Sequence, residues 1–249
     1  MKTRKYLKIE GKKMNIALII AGGVGNRMGQ DIPKQFLNVR DKPVIVYTME
    51  RFQENKDIDV IAVVCIEGWE VMLQAYANQF CIDKLKHIIP GGENGQGSIR
   101  NGIRFLSEIY DKDDIVLVHD AIRPMVSQEI ITGCIEKTRE YGSAITAVPC
   151  QEAMLETLDG ETTVSSYPRD NLKRTQTPQG FFLKDLAFAH EEALKKGITN
   201  SIASCTLMIE LGWTVHFCKG SEKNVKLTTT DDIEIFKALL AAEKDDWIK

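Results

Sequence analysis

The chain has 249 residues, of which 43% are hydrophobic and 27% are charged, and its formal net charge is −3. This size and composition predict one large domain with a substantial core. Lys and Arg are not in excess, which argues against a nucleic-acid partner. No run of residues approaches the ~20 apolar positions of a membrane span.

The N-terminal region, residues 1–13, is basic and precedes a short apolar run at 16–20. We interpret it as a tail rather than a signal peptide, because a charged glycine-rich loop stands where a cleavage site is expected. Residues 14–249 are then a single domain. The six cysteines form no C-x-x-C pair, which argues against a structural zinc site. Unpaired cysteines are typical of a reducing compartment, so we expect a cytoplasmic location.

Apolar runs predict strands at 16–20, 60–66, 87–89, 115–118, 144–148 and 214–218. Helices are predicted between them at 44–52, 69–80 and 98–110, from Ser127 as N-cap to Gly142 as stop, and from Thr230 onward. This alternation favours an α/β fold with a doubly wound, mostly parallel sheet. Ligands in such sheets bind at the carboxyl ends of the strands.

One segment, about residues 150–176, breaks the alternation. Asp159-Gly160 lies between two strand-like runs at 154–158 and 162–166, which is the pattern of a β-hairpin. An isolated hairpin is marginally stable in water. We therefore expect a projecting β-arm that packs on a second copy of the chain, which predicts a homodimer.

The loop after the first strand, residues 21–35, is the main candidate binding site. It is rich in glycine and contains the cations Arg27 and Lys34. Glycine lets backbone amides approach a ligand closely, and successive amides form an anion-binding nest. We expect a phosphate-rich ligand at this loop.

Three known loop types, beside a plain ligand-free turn, are the alternatives for this segment. A dinucleotide fingerprint requires a third glycine where Met28 stands, and a P-loop requires a closing G-K-[ST] that is absent. A nucleotidyltransferase loop, G-G-x-G-x-R-M-G followed by P-K-Q, fits throughout. The third interpretation is therefore preferred.

Other polar residues follow predicted strands. Asp120 and Arg123 come after the strand at 115–118, where Asp120 could hold Mg²⁺ beside nucleotide phosphates or simply pair with Arg123. His119 is expected to be structural. A second glycine-rich turn, at 91–98, could contact a base or ribose, or be a plain turn. Lys226 precedes a helix N-terminus, where a cation is unfavourable, so it is expected to serve a ligand or an Asp.

Together these segments resemble the 2-C-methyl-D-erythritol 4-phosphate cytidylyltransferases and the related ribitol-5-phosphate cytidylyltransferases. The similarity extends from Met14 to about Leu240. It is carried by AGGVGNRMG at 21–29, PKQF at 33–36, VHDAIRP at 118–124, RTQTPQGF at 174–181 and NVKLTTTDD at 224–232. Any one of these motifs is weak, but the set is specific.

The resemblance implies a Rossmann-like nucleotidyltransferase fold, with CTP and a polyol phosphate as substrates. Because the phosphate charge must be neutralised and Asp120 could hold the ion, Mg²⁺ is the expected cofactor. The resemblance further implies that Arg27 and Lys34 bind the CTP phosphates, and that Arg169 reaches the polyol phosphate from the partner's arm. Lys226 is also implied to face the ligands. The substrate-binding residues implied are Ala21, Gly22, Gly23, Gly25, Gly92, Ser98, Asp120, Ala121 and Arg123.

The chain departs from this family in two places. Residues 202–205 replace a Thr-Asp pair and the small residue after it, and an Arg common in the second glycine turn is absent near Gly95. The first change bears on the acceptor, because a polar group matched to a substrate hydroxyl discriminates strongly.

Two acceptors are possible, one for each of the two related activities. VHDAIRP and the SIRNGI segment favour 2-C-methyl-D-erythritol 4-phosphate, whereas Trp69 and Cys205 favour ribitol 5-phosphate. We favour the first acceptor, with the second as the alternative. A CTP-binding paralogue without turnover and an NAD-binding oxidoreductase are the remaining function classes.

Overall fold

The structure is a computed structural model, in which residues 13–23 and 32–244 are described. The strands are β1 (Asn15–Ala21), β2 (Asn38–Val39), β3 (Lys42–Pro43), β4 (Val60–Cys65), β5 (Leu85–Pro90), β6 (Ile115–Asp120), β7 (Ser143–Pro149), β8 (Met154–Glu156), β9 (Ser165–Tyr167), β10 (Lys173–Phe182) and β11 (Phe217–Lys219). The helices are α1 (Val44–Glu54), α2 (Glu70–Gln79), α3 (Gly95–Ser107), α4 (Gln128–Tyr141), α5 (Leu183–Lys195), α6 (Ser204–Glu210) and α7 (Thr230–Lys244).

The central sheet of the described chain has seven strands in the order β11-β7-β10-β6-β1-β4-β5. Every neighbouring pair is parallel except those of β10, which runs antiparallel between β6 and β7. The predicted mostly parallel α/β sheet is therefore confirmed. Because β1, β4, β5 and β6 are parallel, the loops that follow them meet at one edge.

Both faces of the sheet are covered by helices, which is why its strands are almost continuously apolar. Ala17 and Ile19 of β1 point into a core shared with α1, α2 and α4. Ile16 and Leu18 point to the opposite face, into a core shared with α3, α5 and α6. The doubly wound arrangement follows from this alternation of buried side chains along one strand.

The two ends of α4 lie where the sequence places them. The Ser127 hydroxyl accepts a hydrogen bond from the Ile130 amide, and Gly142 adopts the left-handed conformation with φ of 82°. A residue without Cβ favours that conformation, which ends the helix.

Several predicted elements differ in the structure. Helices α5 and α6 and strand β10 were not predicted, and the last strand covers Phe217–Lys219 rather than 214–218. Strand β10 is polar and contains Pro178 and Gly180, so its sequence does not read as a strand. Its pairing with β6 and β7 decides its conformation. A Cβ on Gly180 would lie 2.1 Å from Thr138 Oγ1, so glycine lets α4 pack closely here.

The arm contains the expected hairpin, with Met154 opposite Tyr167 and Glu156 opposite Ser165. The Asp159 carboxylate accepts hydrogen bonds from the Thr162 hydroxyl and from the Thr162 and Glu161 amides, which shape the turn and lower the pKa of that carboxyl. The predicted C-terminal limit of the arm needs correction. Strand β10 begins at Lys173 and pairs with β7, so residues 173–176 belong to the central sheet.

Nothing in the described helices is both long enough and apolar enough to span a bilayer.

Candidate active site

The first part of the site is the end of β1. Gln35 is almost fully buried, and its side-chain amide donates to the carbonyl oxygens of Ala21 at 2.7 Å and Gly23 at 3.1 Å. These bonds fix the start of the glycine-rich loop from the PKQF segment that follows it. PKQF contributes to the family resemblance, but the sequence alone assigns no role to Gln35. The position of a polar side chain between Lys34 and the apolar Phe36 is the signal in the sequence that could have pointed to Gln35.

Lys34 begins a short 3₁₀ helix, Lys34–Phe36, beside this glutamine. The Phe36 ring stacks on Trp69 after β4, with centroids 4.5 Å apart. The Gln35 bonds and this stack hold the backbone of Lys34 against the end of β1. Gly25 and Arg27 lie outside the described residues, so their predicted roles stay predictions.

The second glycine-rich turn packs directly against the first. A Cβ on Gly22 would lie 2.7 Å from Ser98 Oγ and 3.4 Å from the Cα of Gly91. A Cβ on Gly92 would lie 2.4 Å from the backbone carbon of Gly97. The sequence therefore needs glycine at 22 and 92 because two backbones approach closely.

Ser98 has a clear structural task in this turn. It is buried, and its hydroxyl accepts a hydrogen bond from the Gly92 amide at 3.0 Å. Asn94 caps α3 by accepting from the Gly97 amide at 2.8 Å, which starts the helix at Gly95 rather than at the predicted Ser98. The predicted residues Gly22, Gly92 and Ser98 thus lie together at the edge.

The third part of the site is a charge cluster at the end of β6. The Asp120 carboxylate accepts from Arg123 Nε at 3.0 Å, and Lys226 Nζ lies 3.2 Å from it. Burial alone would raise the pKa of the Asp120 carboxyl, but Lys226 and Arg123 outweigh it and lower the pKa. Asp120 is therefore ionised at neutral pH.

The cations of this cluster are unequally available. The Arg123 side chain is 11% exposed and also donates to the Asn224 carbonyl at 2.7 Å, whereas Lys226 is 43% exposed. Arg123 is thereby held in place by two protein acceptors, and Lys226 faces outward. Both expectations for Lys226, a ligand or an Asp, are compatible with this position.

Ala121 connects the cluster to β1. Its amide donates to the Ile20 carbonyl at 3.1 Å, and its carbonyl accepts from the Thr48 hydroxyl at 2.7 Å. The residue is buried. Ala121 therefore lies where it was predicted, but its backbone polar groups already have protein partners.

His119 lies beneath this edge as a structural residue. It is fully buried, and burial lowers its pKa to about 4, so the ring is neutral at pH 7. Its Nε2 is 3.2 Å from the Arg123 carbonyl, which can only accept, so we assign the proton to Nε2. Nδ1 then accepts from the Thr177 hydroxyl at 3.0 Å, whose oxygen accepts from the Asp120 amide. This series of hydrogen bonds fixes the backbone of Asp120. It also occupies both ring nitrogens of His119, so the ring has no acid–base task.

Arg169 makes its described contacts within the arm. It lies in a short 3₁₀ helix of the arm, its side chain is 62% exposed, and Nη1 donates to the Gln151 carbonyl at 2.9 Å. Its contacts within one chain are thus to the arm itself.

Asp120 is the predicted metal-binding residue. Among the described residues, His, Cys, Asp and Glu side chains form no group of three or more suited to a metal ion. Mg²⁺ bound with nucleotide phosphates needs only one or two carboxylates. Asp120, ionised and at the edge, fits that requirement.

A cavity of about 400 Å³ lies elsewhere, between α3 and α5. Its lining includes Arg100, Arg104, Leu194 and the buried His190, and none of the predicted site residues. Neither ring nitrogen of His190 has a hydrogen-bond partner among the described residues, and burial lowers its pKa to about 4.

Comparison with known proteins identifies the family of this chain. A family model described as "IspD: 2-C-methyl-D-erythritol 4-phosphate cytidylyltransferase" matches residues 15–242. The chain belongs to the IspD family. The predicted resemblance is confirmed, the protein is a cytidylyltransferase, and the NAD-binding alternative is wrong.

Relatives within the IspD family carry two different names. A ribitol-5-phosphate cytidylyltransferase from Lacticaseibacillus paracasei is 43% identical, covering 91% of this chain and 98% of its own length. A 2-C-methyl-D-erythritol 4-phosphate cytidylyltransferase from Clostridium botulinum is 32% identical, covering 91% and 97%. The comparison therefore favours the alternative acceptor, ribitol 5-phosphate, over the one that the motifs favoured.

Comparison with solved structures places the fold in the same family. The crystal structure of the Francisella tularensis 2-C-methyl-D-erythritol 4-phosphate cytidylyltransferase superposes with a TM-score of 0.75 at 27% identity, covering 91% of this chain and 99% of that one. The IspD-family fold therefore extends over nearly the whole chain.

Proposed function

We propose that this protein is a ribitol-5-phosphate cytidylyltransferase, which joins CTP and D-ribitol 5-phosphate to give CDP-ribitol and pyrophosphate. The observation that carries this proposal is the identity of 43% to a relative of that name, against 32% to one named for methylerythritol phosphate. Trp69 and Cys205, which favour ribitol 5-phosphate in the sequence, support the same acceptor.

The reaction requires little proton chemistry. A phosphate monoester has a second pKa of about 6, so the acceptor is already ionised near neutral pH. One of its oxygens forms a bond to the α-phosphorus of CTP, and the bond from that phosphorus to the bridging oxygen breaks, releasing pyrophosphate. In-line positioning and charge neutralisation are the main requirements. A neutral, internally bonded His119 is consistent with a site that has no general base.

The chain's own residues supply those two requirements. The loop 21–35, with Arg27 and Lys34, would receive the CTP phosphates, and the turn 91–98 packed against Gly22 would line the nucleotide site. Lys226, half exposed beside Asp120, would neutralise phosphate charge.

We propose Mg²⁺ as the cofactor, held by Asp120 together with phosphate oxygens. The ion would neutralise charge on the phosphates during transfer. This proposal rests on the ionised carboxylate of Asp120 at the edge of the sheet.

We also propose that the arm mediates a homodimer, in which Arg169 of one chain serves the acceptor phosphate of the other. Leu155, Leu158 and Val164 on the arm are strongly exposed apolar side chains, and a partner would cover them. A cytoplasmic location is proposed from the six unpaired cysteines, which suit a reducing compartment.

The decisive experiment is pyrophosphate release with CTP and Mg²⁺, offering D-ribitol 5-phosphate and 2-C-methyl-D-erythritol 4-phosphate in parallel. We expect release with the ribitol ester, and none with unphosphorylated ribitol as the matched control. Release with the methylerythritol ester alone, or with neither ester, would overturn the proposal.

A further inference from the structure

The cavity between α3 and α5 takes no part in the reaction described above. Its volume of about 400 Å³ is within the size range of small-molecule sites in proteins. Within the part of the chain that the structure describes, its lining includes none of the residues that we assign to CTP or to the acceptor. A ligand in this cavity would therefore leave the proposed substrate sites free.

Two arginines, Arg100 and Arg104, lie one turn apart on the α3 wall of the cavity, where like charges repel each other. Neither guanidinium has a hydrogen bond or ion pair with another described residue, although Glu108 and Glu191 also line the cavity. Both glutamates are exposed, so they can turn to water. The helix dipole favours Arg104 in the last turn of α3, but not Arg100 in the middle of the helix. The two cations are therefore available to an anion.

His190 contributes to the α5 wall of the same cavity. The imidazole is 4% exposed, and neither ring nitrogen has a hydrogen-bond partner among the described residues. Buried polar side-chain atoms in proteins are nearly always hydrogen-bonded, so a ring without partners requires an explanation. Burial, together with the nearby charge of Arg100, lowers the pKa of His190 to about 4. The ring is thus neutral at pH 7, and one nitrogen can donate while the other accepts.

The remaining lining includes apolar side chains. Ile103 on α3 is buried, Ala187 on α5 is half-buried, and Leu194 on α5 is 54% exposed. Covering the leucine would be favourable, because apolar surface gains free energy when it leaves water. The cavity thus combines positive charge, an unpartnered imidazole and apolar surface.

We propose that this cavity binds a small organic anion, whose acid group is held by Arg100 and Arg104 and whose carbon skeleton lies on the apolar wall. A polar atom of the ligand supplies the hydrogen bond that His190 lacks within the chain. Carboxylates and phosphate esters with an aromatic or aliphatic body have this chemistry, because both accept two parallel hydrogen bonds from a guanidinium group.

The test uses anilinonaphthalene sulfonate as the probe, because it joins an apolar body to one acid group and fluoresces when water is excluded. We expect saturable binding to the full-length protein. Phenylnaphthylamine, which has the same body without the sulfonate, is the matched ligand control and should bind about tenfold more weakly. Saturating CTP should leave the Kd for the probe unchanged, since the two sites share no residue.

Two variants locate the probe. Arg100→Gln should raise its Kd about tenfold through loss of one charge-assisted contact. Arg139→Gln on α4, an exposed arginine on the other face of the sheet, removes the same charge away from the cavity and should change the Kd by less than about twofold. Ala187→Leu fills the cavity without a change of charge and should prevent binding, with an unfolding midpoint near that of the parent protein.

Two further measurements identify the contacts. The imidazole NMR signal of His190 should move as the probe is added to the parent protein and stay in place in Ala187→Leu. Benzoate and phenyl phosphate should compete with the probe, and the stronger competitor identifies the preferred acid group. Inorganic phosphate, which has no apolar body, should compete more weakly than phenyl phosphate.

Three results would overturn the proposal. Equal Kd values in the parent protein, Arg100→Gln and Ala187→Leu would mean that the probe binds elsewhere. Equal affinity for phenylnaphthylamine, or competition by neither benzoate nor phenyl phosphate, would mean that the cavity has no preference for an anion. Displacement by CTP would place the probe at the nucleotide site.

Discussion

Acid should destabilise this protein through two buried, neutral histidines. Burial lowers the pKa of His119 and of His190 from 6.5 to about 4. Between those two pH values the unfolded chain binds more protons than the folded one, so stability falls as pH falls. Above pH 6.5 both histidines are neutral in the folded and in the unfolded chain, so their titration does not change stability there. Below pH 6.5 the destabilisation grows, and it reaches its full size below about pH 4.

The size of the effect follows from the two pKa values. At pH 5 an unfolded histidine is almost fully protonated and a folded one with a pKa of about 4 is mostly neutral. The difference destabilises the fold by about 2 kcal/mol per histidine, or about 4 kcal/mol for both. His87, whose pKa burial also lowers, acts in the same direction.

The assay is urea unfolding at pH 7 and pH 5 for the parent protein and for His190→Leu. The substitution removes a buried imidazole without partners among the described residues, so stability at pH 7 should be equal or higher, by about 1–3 kcal/mol at most. The loss between pH 7 and pH 5 should be smaller by about 2 kcal/mol. An unchanged pH dependence in His190→Leu, or an imidazole NMR titration of His190 near pH 6.5, would refute the reasoning.

Three further predictions concern the candidate site. Lys34→Ala should lower kcat by about 10²–10³ through loss of a charge donor, with an unchanged circular dichroism spectrum; normal turnover contradicts its role. Gly22→Ala should raise the Kd for CTP by calorimetry, because its Cβ would lie 2.7 Å from Ser98 Oγ, whereas Gly133→Ala on α4, whose Cβ would meet nothing within 4 Å, is the spatial control. Equal affinities in both would count against the close packing of the two turns. Asn94→Ala should cost about 1 kcal/mol of unfolding free energy in urea through loss of the α3 cap, and an unaltered midpoint would argue against that cap.

Much of the fold could be predicted because local signals and tertiary packing agree. The runs at 16–20 and 115–118 are apolar on both faces, as buried parallel strands require. Ser127 and Gly142 carry their capping signals within the helix itself. Strand β10 has no such signal, since Pro178 and Gly180 belong there only because β6, β7 and α4 surround them.

The candidate site divides in the same way. Glycine-rich loops, Lys34 and the Asp120–Arg123 spacing are local patterns, so the sequence could nominate them. Gln35 was not found, because a glutamine is ordinary in sequence and gains meaning only from the carbonyl groups that it meets in the fold.

Hydrophobic periodicity and short motifs are local properties, so the sequence was enough to predict the fold class and the family. By the same local signals it nominates the carboxyl edge of the sheet as the candidate site. Only the folded chain shows that β10 pairs antiparallel with both its neighbours, that Asp120 is shared between Arg123 and Lys226, and that the two glycine-rich turns pack on each other. These features join residues far apart in the chain, so no local pattern could specify them.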